Sequence, residues 1–195
     1  MSHDWHTVLG VVASMVLLGN IIPYIRSITH STTRPSAVSW FGWALLFAIA
    51  TAAQASKGID WSLAVPLIST LSTTIIAITA FRMGRAVWTR IDGACIVLAF
   101  VAIILWALTQ EPLTAIILSI IADMLVTIPT IVKTYEDASS EPATLWVFYV
   151  IAITAEVIAT THFTLYNLLF PVYTIIFAAT ITILALRGRI FPRNV

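Results

Sequence analysis

Two carboxylic acids stand inside long apolar runs of this chain. Asp123 lies near the middle of the run 112–134, and Glu156 in the later half of the run 142–161. No Lys or Arg lies at comparable depth in any apolar run. Placing an ionised carboxylate in a bilayer costs at least ~3 kcal/mol on insertion scales. Such a group must face a watery cavity, find a partner or take up a proton. Three chemistries follow. A protonated acid can lock a helix bundle by hydrogen bonding to Ser, Thr or a freed carbonyl. An ionised pair can hold a cationic substrate through charge-assisted contacts. An acid whose proton affinity is raised by desolvation can couple proton movement to substrate movement. The residues alone leave all three open. Asn20, Ser69, Thr70, Tyr173 and Thr174 are the further polar candidates in apolar runs, as cavity lining or as helix-packing contacts.

A second set of residues has the character of moving parts. Pro23 and Pro129 fall inside apolar runs, where a proline frees a carbonyl and bends a helix. They are read as hinges, against a static kink filled by packing. Trp40, Trp43 and Trp146 lie near helix starts and suit interfacial anchoring, with a gate role as the alternative. Arg34 and Glu141 are expected to form a salt bridge that closes this gate, although exposed ion pairs contribute little. Asp92 is expected to pair locally with Arg85 or Arg90.

These residues are carried by an unusually apolar chain. Of 195 residues, 59% are hydrophobic and 10% charged, and the mean hydropathy is +0.98. Soluble domains carry about 25% charged residues, so the solvent expected here is lipid. Runs of about 20 apolar residues mark spans, and seven are expected, at 6–28, 36–56, 61–82, 91–109, 112–134, 142–161 and 164–186. Pro35, Pro112 and Pro142 suit helix starts. The segment 1–6 lacks a basic region and a small-residue cleavage site, so the first span reads as retained. The single cysteine, Cys95, excludes a disulfide within the chain.

Arginine and lysine set the expected orientation. Arg26, Arg34, Arg82, Arg85, Arg90, Lys133, Arg187, Arg189 and Arg193 fall on one side of the seven spans, and only Lys57 on the other. The N-terminus is therefore expected outside and the C-terminus in the cytoplasm, in a multi-pass protein of the plasma (inner) membrane. Trp5, Trp61 and Trp106 fall near the outer boundary, and Trp88 near the inner one.

A short pattern then repeats about half a chain apart. Ile22-Pro23-Tyr24-Ile25, a polar turn, Trp40 and Trp43 match Ile128-Pro129-Thr130-Ile131, a polar turn, Trp146 and Tyr149 without a gap. Pro66 and Pro171 recur in a further helix of each half. The positions equivalent to Asp123 and Glu156 hold Leu17 and Ala50, so the repeat is asymmetric in charge. Three spans, one returning span and three more make the repeat parallel, related by an axis along the membrane normal. The expected fold is all-α and integral to the membrane: two parallel three-helix bundles, 1–85 and 111–195, joined by a linker helix in 86–110.

Ile22-Pro23-Tyr24, Thr32-Thr33-Arg34-Pro35-Ser36 and Trp40, with Ile128-Pro129-Thr130, Lys133 and Trp146, resemble the SWEET and PQ-loop superfamily of seven-helix transporters, as a divergent member. Tyr24 and Thr130 stand where that pattern usually has Gln, and Leu67 and Val172 where the third helices often carry a substrate-contacting Asn. The resemblance implies transport through a central cavity by alternating access, with the two prolines opening an inner gate. It also implies that Glu156 takes the place of a cavity-lining aromatic residue.

Other classes find no support in the residues. There is no GxxxxGK phosphate loop, no His/Cys spacing for zinc and no hydrolytic triad. No lysine lies within the seventh span for a retinal Schiff base. No cofactor, metal, nucleic acid or enzymatic activity is expected. The expected partners are the lipid bilayer and a small polar or cationic metabolite, with protons as a candidate co-substrate. A homo-oligomer stays open, as do two rival readings: a seven-helix receptor or sensor without flux, and a structural membrane protein.

Overall fold

The computed structural model describes residues 4–55, 64–109, 111–159 and 163–190, and their regular structure is helical apart from one isolated bridge between Ser36 and Val87. Seven α-helices follow one another: α1 (Asp4–Thr29), α2 (Ala37–Ala55), α3 (Ala64–Arg82), α4 (Asp92–Leu108), α5 (Pro112–Glu136), α6 (Ala143–Ala159) and α7 (Leu165–Ile190). They lie where the apolar runs predict them. Two stretches, Ile116–Glu136 and Leu168–Arg187, are long and apolar enough to cross a membrane. The other five described helices carry shorter apolar stretches.

Local chemistry sets the helix starts. Pro112 opens α5, where its missing N–H leaves no bond unmade. Ser36 Oγ accepts the Ser39 backbone N–H at 3.3 Å ahead of α2. Asp92, expected to pair with arginine, instead bonds back to the turn that precedes α4. Its carboxylate accepts the Thr89 N–H at 2.8 Å and the Thr89 hydroxyl, which lies three residues upstream and satisfies it without an ion pair. Pro23 and Pro129 sit inside continuous helices, Pro23 on an exposed face and Pro129 fully buried.

Packing follows a pattern that recurs along the chain. Helix α3 packs against both α1 and α2, and α7 against both α5 and α6. Helix α1 packs on α6, α2 on α5, and α4 mainly on α5. At the α2–α5 crossing a Cβ on Gly42 would meet Val126 Cγ1 at 2.5 Å and Val126 Cβ at 2.7 Å, so only glycine permits this approach.

The loops that carry the basic residues gather at one end. Segment 34–37 is clamped on both sides. Ala37 N–H donates to Val87 O at 3.0 Å and Val87 N–H to Pro35 O at 2.9 Å, while Arg34 N–H donates to Ser140 O at 3.0 Å. Arg187 of α7 donates to Tyr135 O at 2.5 Å and lies 4.9 Å from the centre of the Tyr135 ring. Beyond the polar ends, large apolar side chains such as Met15, Val97, Leu108 and Ile183 point outward, each more than 60% exposed.

Candidate functional site

The helices line a central, partly open cavity of about 590 Å³. Its walls come from α1 (Leu17, Asn20), α2 (Trp40, Trp43), α3 (Ser69, Thr73), α5 (Ser119, Asp123), α6 (Trp146, Tyr149) and α7 (Thr174, Phe177), among others. Both repeats therefore contribute to one space.

Asp123 lies on its wall and is 6% exposed. Its carboxylate accepts the Tyr173 hydroxyl at 2.9 Å. Thr127, one turn further along α5, donates to the Asp123 backbone carbonyl at 2.7 Å and accepts the Trp43 indole N–H at 3.3 Å. That chain of contacts ties α2, α5 and α7 around the acid. Among the described residues, no Lys or Arg lines the cavity.

At the basic end the cavity meets an aromatic layer. Trp43 lies 5.2 Å from Trp40, 5.9 Å from Trp146 and 6.4 Å from Phe177, ring centre to ring centre. Trp146 and Tyr149 are 6.1 Å apart. These separations suit attractive edge and offset packing. Trp40, Trp43 and Trp146 are no more than 5% exposed, so they form the floor of the cavity and are not interfacial anchors. Their faces of α2 and α6 turn toward the bundle axis, which helix-end position alone does not reveal. Trp88, by contrast, is exposed, as an anchor would be.

Beneath the floor lies a buried polar node. Glu141 forms an ion pair with Lys133, and both side chains are nearly inaccessible. Tyr24 Oη lies 3.0 Å and 3.1 Å from the two carboxylate oxygens, donating between them. Trp146 Nε1 donates to Glu141 Oε2 at 3.1 Å. Lys133 Nζ also donates to the Arg34 backbone carbonyl at 2.6 Å. Charge-assisted contacts of this kind are the stronger hydrogen bonds. The node joins α1, the α1–α2 loop, α5 and α6, and Trp146 connects it to the cavity floor.

The expected Arg34–Glu141 ion pair is therefore corrected. Lys133 takes the carboxylate, and Arg34 contributes its backbone while its side chain stays exposed. The short 3-10 turn Ala138–Ser140 folds Glu141 back over the end of α5 and so delivers it to Lys133. The same turn is capped by Asp137, whose carboxyl is held below its usual range mainly by the Ser139 hydroxyl, with smaller help from the Ser139 N–H, Arg34 and Lys133.

The remaining candidates divide cleanly. Asn20, Ser69 and Thr174 line the cavity with Asp123, Trp40 and Trp146. Asn20 also donates to the Leu145 carbonyl at 2.9 Å, linking α1 to α6. Tyr173 reaches the site through Asp123. Thr70 meets Thr51 at 2.9 Å, a contact between α3 and α2. Glu156 belongs to α6, but its side chain lies outside the described residues, as do Lys57, Trp61 and Arg193. Sequence reasoning missed Tyr24 and Lys133 as partners of Glu141, and Tyr149 and Phe177 as cavity walls. The one available signal was Tyr24 itself, a bulky hydroxyl directly after Pro23.

No protein-family model, curated protein or solved structure matches the chain.

Proposed function

We propose that the protein is a multi-pass membrane transporter that moves a small solute through the central cavity by alternating access. The observation that carries this reading is the conjunction of a buried acid, Asp123, with a cavity stoppered at one end by side chains from both halves of the chain. A static structural bundle has no need of a void this size, since each missing contact costs packing energy.

In this reading all seven helices span the bilayer. Helices α1–α3 and α5–α7 are twin parallel units, α4 is the linker, the N-terminus is outside and the basic loops are cytoplasmic. The packing supports it. Exchanging α1 with α5 and α2 with α6 maps the α1–α6 contact onto α5–α2, and α3 and α7 hold the same place within their units. The outward-facing apolar side chains of α1, α4 and α7 suit contact with lipid. The Glu141 node and the tryptophan floor then act as the inner gate. Pro129, buried in α5 one turn before Lys133, is the hinge nearest to it. The resemblance to the SWEET and PQ-loop transporters agrees with this arrangement.

The test is counterflow in proteoliposomes loaded in turn with amines, sugars and amino acids. At least one class exchanges with its labelled counterpart, and Asp123→Asn removes the exchange. Failure of every class to exchange, or undiminished exchange by Asp123→Asn, refutes the reading.

A further inference from the structure

We infer that the cavity takes an organic monocation with an apolar body and no acidic group. The inference deepens the transport reading and rests on it only for the claim that the ligand is moved as well as bound.

The argument starts from which hydrogen-bonding capacity the walls leave unused. Ser72 donates to Ile68 O at 2.6 Å, Thr73 to Ser69 O at 2.8 Å and Thr174 to Phe170 O at 3.0 Å. Each of these hydroxyls gives its proton to its own helix and keeps lone pairs for the cavity. Other donors of the wall are committed as well, Trp40 Nε1 excepted, which is buried without a partner. Trp43 N–H goes to Thr127, Trp146 N–H to Glu141, and an Asn20 N–H to Leu145 O. Asp123 adds a carboxylate whose known donor is the Tyr173 phenol. Around Asp123 the described polar lining therefore presents acceptors, while one unpartnered donor, the Trp40 N–H, lies in the aromatic floor. The complement of those acceptors is a group that donates and does not accept, which is the character of an ammonium.

Charge narrows the class further. With no Lys or Arg on the described lining, no cationic side chain there would receive the carboxylate of an amino acid. The aromatic floor supplies the rest of the complement. Trp43, Trp146, Tyr149 and Phe177 present ring faces and edges to a body that is apolar and to a charge that a ring face attracts. A bare metal ion uses none of that surface. The volume of about 590 Å³ accommodates a body of one or more rings.

The experiment uses the full-length protein in detergent micelles, with phenethylammonium as the probe. Comparison solutes are 2-phenylethanol, phenylalanine and sodium ion, and binding is read from the fluorescence of the cavity tryptophans. The amine is expected to bind saturably and at least about tenfold more tightly than the alcohol or the amino acid, on the strength of one charge-assisted contact. Asp123→Asn is expected to weaken the amine by about ten- to a hundredfold and to leave the alcohol unchanged, with Asp123→Glu restoring part of the loss. Wild-type selectivity stands as a test by itself should Asp123→Asn fail to fold. Equal binding of alcohol or amino acid, displacement of the amine by sodium, or absence of saturable amine binding overturns the inference.

Reconstituted protein separates the two claims. Binding with exchange of the amine supports both. Binding without exchange sustains the ligand class and refutes the carrier. Exchange of a sugar without amine binding sustains the carrier and refutes the ligand class.

Discussion

Replacing Lys133 with methionine removes one charge from the buried node and keeps most of the apolar stem. In the intact protein the Glu141 carboxylate is satisfied by Lys133, by Tyr24 at 3.0 Å and by Trp146 at 3.1 Å. The variant leaves a buried anion with two neutral donors. Breaking a buried pair by removing one partner costs about 3–5 kcal/mol. The surviving donors hold the effect near the lower bound, about 3 kcal/mol. For a chain of this length, that corresponds to a fall in Tm of about 6–12 °C. Adding Glu141→Gln removes the orphaned charge while retaining an acceptor for Tyr24 and Trp146. The double variant should regain about 2 kcal/mol, and the remaining deficit of about 1 kcal/mol reflects the lost bond from Lys133 to the Arg34 carbonyl. Thermal unfolding of wild type, both single variants and the double variant, followed by tryptophan fluorescence in one detergent, closes the cycle. A Lys133→Met protein that melts within about 2 °C of wild type, or a double variant whose losses simply add, refutes the reasoning.

Other perturbations report on separate parts of the structure. Gly42→Ala places a methyl against Val126 and should destabilise by about 1–3 kcal/mol, with Val126→Ala in the same protein recovering only part of it, because the Cβ at 2.7 Å remains; thermal unfolding measures both. Pro129→Ala straightens the buried hinge of α5 and should slow exchange by about tenfold without lowering Tm, whereas Pro23→Ala, on an exposed face, should change the rate less; equal effects of the two would contradict this assignment. Asp137 has a folded pKa below its unfolded value, so its stabilising contribution is present above about pH 4 and is lost as pH falls through the folded pKa. Asp137→Asn should flatten that acid limb of the stability profile and leave the neutral range nearly unaltered.

Much of the helical scaffold is legible in the residues because long apolar runs bounded by prolines and polar turns favour helix. Each apolar run of about 20 residues becomes a helix, and Pro112 and Pro142 mark starts to within a residue. Asp123 stands out as an acid where none is cheap to place. What escaped is contact-dependent. Trp40 and Trp146 read as boundary markers because tryptophan near a helix end is ambiguous until the neighbours of that face are known. Glu141 is eight residues from Lys133 in sequence, a separation with no fixed meaning until the Ala138–Ser140 turn folds back. Arg34 was the expected partner because it stands opposite Glu141 in the repeat. Burial reverses that preference, since the node has room for a lysine stem and for the Arg34 backbone but leaves the guanidinium outside. The commitment of the threonine hydroxyls to their own helices is equally invisible from composition, because Thr73 and Thr174 count as polar whichever way their hydroxyls turn.

The most direct test of the central claim is the side from which the cavity can be reached. Ser69→Cys, in a Cys95→Ser background, places a thiol on the cavity wall. Labelling with a membrane-impermeant maleimide is compared in right-side-out and inside-out vesicles. The account predicts reaction mainly from the face opposite the basic loops, and a shift toward the basic face when Glu141→Gln loosens the node. Labelling that ignores Glu141→Gln, or a thiol that reacts from neither face, contradicts it.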